Sequence, residues 1–159
     1  MNKEVNKETN KETSKEDIEK RNCRLNTCVF FSTTKLAREF NKIAEEAFKK
    51  TGLSPSYAVL IYILNQTEKM HQKELGERMF LTPSTITRFL EKLDAKGLVT
   101  KTSEGKNVYV SSTVKGKALQ AEIVAAWNEL HTIYDGILSE EETRQFVNIS
   151  NKLIDKLGQ

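Results

Sequence analysis

The chain has 159 residues, 38% hydrophobic and 30% charged, with 25 Lys and Arg against 22 Asp and Glu for a formal net charge of +3. That length suits one domain able to bury a real core, and so mild a charge permits phosphate contacts without announcing them. The longest apolar run, residues 58–64, is too short to cross a bilayer, so no membrane association is expected.

Residues 1–23 read as a charged low-complexity tail built on Asn2-Lys3-Glu4-Val5, Asn6-Lys7-Glu8-Thr9 and Asn10-Lys11-Glu12-Thr13. Almost nothing in it can be buried, so disorder is predicted. Its Glu residues cancel its Lys residues, which argues against a basic DNA-binding arm. The charged N-terminus lacks the apolar segment of a secretory signal. Cys23 and Cys28 are the only cysteines; five apart on a helix, they project about 140° from each other. No disulfide is expected between them, and a reducing, cytoplasmic setting is the prediction.

From residue 24 to 50 the spacing predicts a long helix, with Val29, Leu36, Phe40, Ile43 and Ala47 recurring every three to four residues. Phe30, Phe31 and Phe48 widen that stripe beyond what one neighbour would cover, which suggests a second partner surface such as another subunit. Thr51-Gly52 ends the helix. Ser54-Pro55 opens the next, which runs to Asn65 and is apolar on several sides. Residues 66–70 form a polar connector.

Residues 72–79 read as a short helix with Leu75 and Met79 inward and Gly76 at a close helix crossing. A turn of about three to four residues separates it from a second helix, the spacing of a helix-turn-helix. In that second helix Thr82 is a natural N-cap and Pro83 takes the first helical position. Ile86, Phe89, Leu90 and Leu93 form one apolar stripe. Ser84 and Arg88 lie opposite the stripe, flanked by Thr85 and Thr87. Short hydroxyl side chains allow close approach to a major groove, and Arg pairs bidentately with guanine. Gly97 is a C-cap candidate. Residues 98–102 and 107–111 are β-rich and are joined by Ser103-Glu104-Gly105-Lys106, which predicts a hairpin. A helix-turn-helix followed at once by a hairpin is a winged helix, and the succession is more specific than any of its parts. Between residues 68 and 114, eight Lys and Arg face six Asp and Glu.

Beyond the hairpin, Thr113 is a cap for a helix carrying Leu119, Ile123, Ala126, Trp127, Leu130, Ile133 and Tyr134 on one stripe, ending at Asp135-Gly136. Ser139 with Glu142 forms a capping box for a last helix bearing Phe146, Ile149, Leu153, Ile154 and Leu157. These helices and the one at 24–50 exceed what a winged domain needs and suit a helical dimerisation region. The expected fold is therefore mainly α with a small β-hairpin wing. Its organisation would be one domain over 24–159, with the winged helix-turn-helix at 54–113 and dimerisation helices at 24–50 and 115–159.

Over about residues 24–157 the chain resembles the MarR-type transcriptional regulators. The likeness rests on Leu75-Gly76-Glu77-Arg78, on Leu81-Thr82-Pro83-Ser84-Thr85-Ile86-Thr87-Arg88 and on Leu93-Asp94-Ala95-Lys96-Gly97-Leu98-Val99. Ser112-Thr113-Val114-Lys115-Gly116 resembles the family's Leu-Thr-x-x-Gly, with Ser112 in place of Leu. The resemblance implies a homodimer on a pseudo-palindromic double-stranded DNA operator, often a repressor relieved by a small ligand or an oxidant. The DNA-binding candidates are Gln72, Lys73, Thr82, Pro83, Ser84, Thr85, Thr87, Arg88, Lys92, Lys101 and Lys106. The wing looks shortened, and the family's Asp-x-Arg region is represented only by Glu104-Gly105-Lys106. Lys106 is then the wing contact, and Lys is a less shape-specific donor than Arg.

The resemblance also implies an effector cleft between the dimerisation helices and the winged domain, for which Phe30, Phe31, Tyr57 and Tyr62 are candidates. At helical spacing such aromatics equally read as plain core. Cys28 lies where a peroxide-sensing branch of the family carries its reactive thiol. Its apolar neighbours and the lack of a Tyr pair in the first helix favour a small structural hydrophobe instead.

His71 and His131 lack a second ligand at metal spacing, and Cys23-x4-Cys28 does not match a zinc knuckle. No phosphate loop, nucleophile elbow or His-based triad is present. No metal, no cofactor and no enzymatic activity are expected. The rival reading is a winged helix used for protein–protein contact without DNA; a third is a ligand-binding helical protein.

Overall fold

The computed structural model describes Leu25 and residues 27–158; the repeat tail, Cys23, Arg24, Asn26 and Gln159 lie outside the described residues. By contacts the chain divides into two compact units, Met1–Asn41 and Lys42–Gln159. The boundary falls within helix α1 (Val29–Phe48). The helix predicted from residue 24 is interrupted: Leu25 is helical, and α1 begins only at Val29. Thr27 lies in a turn, and the Cys28 carbonyl accepts the Ser32 N–H at 2.9 Å, so Cys28 takes the N-cap position. In the first unit Val29 and Phe30 are exposed, and the Lys35 ammonium lies 5.7 Å from the Phe31 ring centre.

In the second unit α1 ends in a 3-10 turn, Lys49–Thr51, closed by Gly52 with a positive φ of 66°. Next come α2 (Pro55–Asn65), strand β1 (Met70–His71), α3 (Gln72–Arg78) and α4 (Pro83–Ala95). They are followed by β2 (Val99–Glu104), β3 (Asn107–Ser112), α5 (Val114–Ala118), α6 (Gln120–Asp135) and α7 (Glu140–Leu157). The core draws on most of them: Phe48, Leu60, Ile61, Leu64, Leu75, Ile86, Leu90, Leu93, Val99, Val110 and Ile123 are all buried. The nearly all-apolar α2 lies among them because several elements surround it.

The wing is a three-stranded antiparallel sheet in the order β1-β3-β2, where the sequence predicts only a hairpin. Met70 pairs with Val110 and His71 with Tyr109. A strand of two residues carries no period to read, and residues 66–70 look like a polar connector for that reason. The hairpin strands are also longer than expected. Glu104 pairs with Asn107, leaving a two-residue turn of Gly105, whose φ is +62°, and Lys106. A positive φ at the first central position alone matches a type II′ turn.

The stripe running from Leu119 to Tyr134 is not one helix with the capped segment before it. The chain breaks at Leu119 into α5 and α6, where the Leu119 N–H donates to the Gly116 carbonyl rather than to Lys115. Gly116 dictates the geometry there: a Cβ on it would stand 2.2 Å from the Leu98 carbonyl oxygen. Thr113 adds two ties, donating its hydroxyl to the Gly97 carbonyl at 2.7 Å and accepting the Gly116 N–H at 3.1 Å. These bonds dock α5 against the turn that leads into the wing.

The capping box at α7 forms as its sequence predicts. The Ser139 N–H donates to Glu142 at 2.8 Å, and the Glu142 N–H donates to the Ser139 hydroxyl at 3.3 Å. The Ser139 backbone bond, then its hydroxyl, hold the Glu142 carboxyl below the ordinary carboxylate range. A carboxylate so held favours the folded helix at neutral pH and loses that contribution as pH falls through its lowered pKa. The rest of α7 buries none of its residues.

Candidate nucleic-acid interface

The start of α4 is built by its own sequence. Thr82 Oγ1 accepts the Thr85 N–H at 3.3 Å and lies 3.1 Å from Ser84 Oγ and 2.9 Å from Thr85 Oγ1. Pro83 occupies the first helical position and its carbonyl accepts the Thr87 hydroxyl at 2.8 Å. Ile86, Leu90 and Leu93 are buried, and Phe89 packs its ring 4.7 Å from that of Tyr57. The opposite face is open: Ser84, Thr87, Arg88 and Lys92 are exposed, while Thr85 is half-buried beside the cap. Among the described residues neither Arg88 nor Lys92 has an ion-pair partner.

The supporting helix α3 meets α4 at Gly76, but the close crossing expected there does not require glycine, since an added methyl group would find only ordinary van der Waals contact. A Cβ there would meet Ile86 Cγ2 at 3.4 Å and the Leu81 carbonyl at 3.5 Å. The turn between the helices closes α3 through two bonds, Phe80 N–H to Glu77 at 3.1 Å and Leu81 N–H to Gly76 at 2.9 Å. Phe80 itself adopts a left-handed φ of 52°, the position that glycine commonly takes in this C-cap. At the far end of α4, Gly97 does the same with its φ of +68°. Its N–H donates to Asp94 at 2.7 Å and that of Leu98 to Leu93 at 2.9 Å, so the chain turns directly into β2.

Four of the predicted contacts, Gln72, Lys73, Pro83 and Lys106, share the lining of one hollow of about 280 Å³ whose apolar wall includes Leu81, Ile86 and Val108. The hollow thus brings the start of α3, the start of α4 and the wing turn together. Lys73 also lies 3.8 Å from Glu77, its neighbour one turn on. Lys101 is placed differently. It pairs with Asp94 at 3.6 Å, beside the C-terminal end of α4, about 16 Å along the helix from Pro83.

The proposed effector residues do different things. Phe31 lines a hollow with Ser32, Lys35, Leu36 and Glu39. Phe30 is exposed. Tyr57 and Tyr62 pack against the core, Tyr62 with its ring 5.4 Å from that of Trp127, and Tyr62 lines a hollow of about 270 Å³ with Val124, Trp127, Asn128 and His131. Cys28 is a half-buried free thiol.

The family model for the MarR family matches residues 53–107, the span from the start of α2 to the wing turn. The HTH-type transcriptional regulator SarZ of Staphylococcus aureus (strain USA300) is 34% identical over 135 residues, covering 80% of this chain and 84% of that protein. The chain belongs to the MarR family. It is a winged helix-turn-helix regulator of transcription. Two solved structures show the same fold. The S. aureus MepR–DNA complex matches with a TM-score of 0.73 at 16% identity, covering 81% of this chain and 98% of that one. CouR from Rhodococcus jostii RHA1 bound to p-coumaroyl-CoA matches with a TM-score of 0.72 at 20% identity, covering 81% and 93%.

Two features of this MarR-family wing escape sequence reasoning. Lys69, in the polar connector, donates to Glu104 at 2.6 Å and lies 4.7 Å from the Tyr109 ring centre. The hydrogen bond and charge of Glu104 raise the pKa of Lys69 above its ordinary value. His71, considered in the sequence only as a metal ligand, caps α3: its Nδ1 accepts the Lys73 N–H at 3.1 Å. Histidine is not among the preferred N-cap residues, so no local signal marks it. Among the described residues no group of three or more His, Cys, Asp or Glu is placed to hold a metal, and no helix is long and apolar enough to cross a membrane.

Proposed function

We propose that this MarR-family regulator is a cytoplasmic homodimer that places one α4 in each of two major grooves of a pseudo-palindromic operator. Ser84, Thr87 and Arg88 meet base edges, with Thr82, Pro83 and Thr85 shaping the approach of the helix. Lys73, Lys92 and Lys106 meet the backbone, Gln72 does so with the part of its amide that its bond to Thr87 leaves open, and Lys101 does so only by leaving Asp94. The observation that carries this reading is the face of α4: one side is buried, and the other presents hydroxyls and two cations that no acidic side chain among the described residues neutralises. MepR, the relative solved with DNA, supports the same use of the fold.

Dimerisation follows from α7. Phe146, Ile149, Leu153, Ile154 and Leu157 remain exposed on it, a stripe that one subunit leaves uncovered and that a two-fold partner would bury. As a repressor, the dimer releases DNA when a small ligand or an oxidant acts on it; the organic ligand bound by CouR supports the first route. The candidates for a ligand are Phe30, Phe31, Tyr57 and Tyr62, and Cys28 is the candidate for an oxidant. The role is recognition, not catalysis.

The test is a footprint and gel shift on the DNA upstream of the protein's own coding region, at low and raised salt. It is repeated with peroxide, with aromatic acids, and with Cys28→Ser. A salt-sensitive, two-fold symmetric footprint is expected. No shift at low salt would sink the proposal in favour of a protein-interaction module, and unchanged peroxide release in Cys28→Ser would remove the thiol from the mechanism.

A further inference from the structure

His71 and Gln72, two consecutive residues, touch both elements that the proposed function assigns to DNA. His71 sits in β1, paired with Tyr109 of the wing, its ring edge-on at 5.4 Å. Its Nδ1 is occupied as the acceptor that caps α3, so the ring proton resides on Nε2. That N–H donates to Asn107 Oδ1 at 3.3 Å. Asn107 is the first residue of β3, immediately after the Gly105-Lys106 turn. One residue along the chain, Gln72 Nε2 donates to Thr87 Oγ1 at 2.9 Å, in the second turn of α4 and next to Arg88. A path from the wing turn to the recognition helix therefore runs through two side-chain hydrogen bonds and a single peptide link.

We infer that His71 and Gln72 are positioning residues, a joint that holds the wing turn and α4 at one spacing so that Lys106 and Arg88 meet DNA together. Hydrogen bonds suit this task because they are directional. A hairpin tip held only by its own ladder is marginally stable and free to swing. Lys69, immediately before β1, braces the same wing through Glu104 at the end of β2. The capping bond makes the joint sensitive to the ring's tautomer: one nitrogen serves α3 while the other serves the wing. The inference rests on the DNA-binding reading for its purpose, but the joint is a property of the free protein.

Two variants remove the wing bond of the joint from its two ends and leave the Gln72–Thr87 bond in place. His71→Asn keeps a good N-cap acceptor yet is too short to reach Asn107, and Asn107→Ala removes the partner at the exposed first position of β3. In the free protein, amide hydrogen exchange across β3 is expected to quicken about 3- to 10-fold in each variant, the size of one lost hydrogen bond. The double variant should exchange no faster than either single one, with α7 unchanged. On the operator, affinity should fall by a similar factor, with flanking protections from the wing lost and central ones from α4 retained. Unchanged β3 exchange, additive effects of the two substitutions, or uniform loss of all protections would overturn the inference. Absence of any wild-type footprint would instead refute the DNA reading, while the exchange measurement would still decide the joint.

Discussion

Arg88 is the side chain on which sequence reading depends most. It stands exposed on α4 opposite Ile86 and Leu90, and it is the one group on that face able to pair bidentately with a base. Arg88→Ala is expected to cost about 1–3 kcal/mol on the specific site and to relax base preference at one position; competition binding against singly substituted operators measures both. Lys73 differs. It lies on the hollow shared by α3, α4 and the wing and is within 3.8 Å of Glu77. Lys73→Ala should weaken all sequences alike and reduce the slope of log affinity against log salt by about one, which a salt titration on specific and random DNA reads out. Both residues are legible in the sequence because periodicity alone decides which face of a capped helix is apolar. His71 is not, because its role depends on an Asn 36 positions away.

At the scale of elements, the recognition helix and the box at Ser139 are the most legible parts, since a cap, an N1 proline and a stripe are all local. The wing is legible as a hairpin but not as a sheet, because β1 exists only through its pairing with β3. Gly116 shows a motif residue acquiring its reason. The sequence offers it as part of a resemblance, and the fold places it against the Leu98 carbonyl with no room for a methyl group. Gly116→Ala must push α5 away from the start of β2. Overpacking of this kind costs about 1–3 kcal/mol, so urea unfolding should show a lower midpoint, and wing-dependent DNA affinity should fall with it. An unchanged midpoint would mean that α5 shifts freely. The Leu119 break has the same origin: a stripe continuing at i, i+4 through Leu119 and Ile123 cannot reveal that the helix carrying it is interrupted.

For the whole molecule, the decisive feature is the apolar stripe left open on α7. Ile149 is 60% exposed, which costs free energy in water unless another surface covers it. If that surface is a second copy, Ile149→Arg should give a monomer by sedimentation equilibrium. The variant should bind a full operator about a hundred-fold more weakly, since two linked half-site contacts become one. It should retain its fold, because α7 contributes no buried residue to the subunit core. A variant that stays dimeric would move the dimer interface elsewhere.

The sequence by itself determined the kind of molecule: capped amphipathic helices, a hairpin at the right distance, and motif residues whose spacing suits a major groove. Those signals are local, carried by period, cap and turn chemistry within a dozen residues. Only the tertiary structure decided which polar groups are committed to one another. Lys101 pairs with Asp94, Lys69 with Glu104, Gln72 with Thr87 and His71 with Asn107, while Arg88 is left exposed. Such pairings join residues of different elements, and no periodicity within one element encodes them.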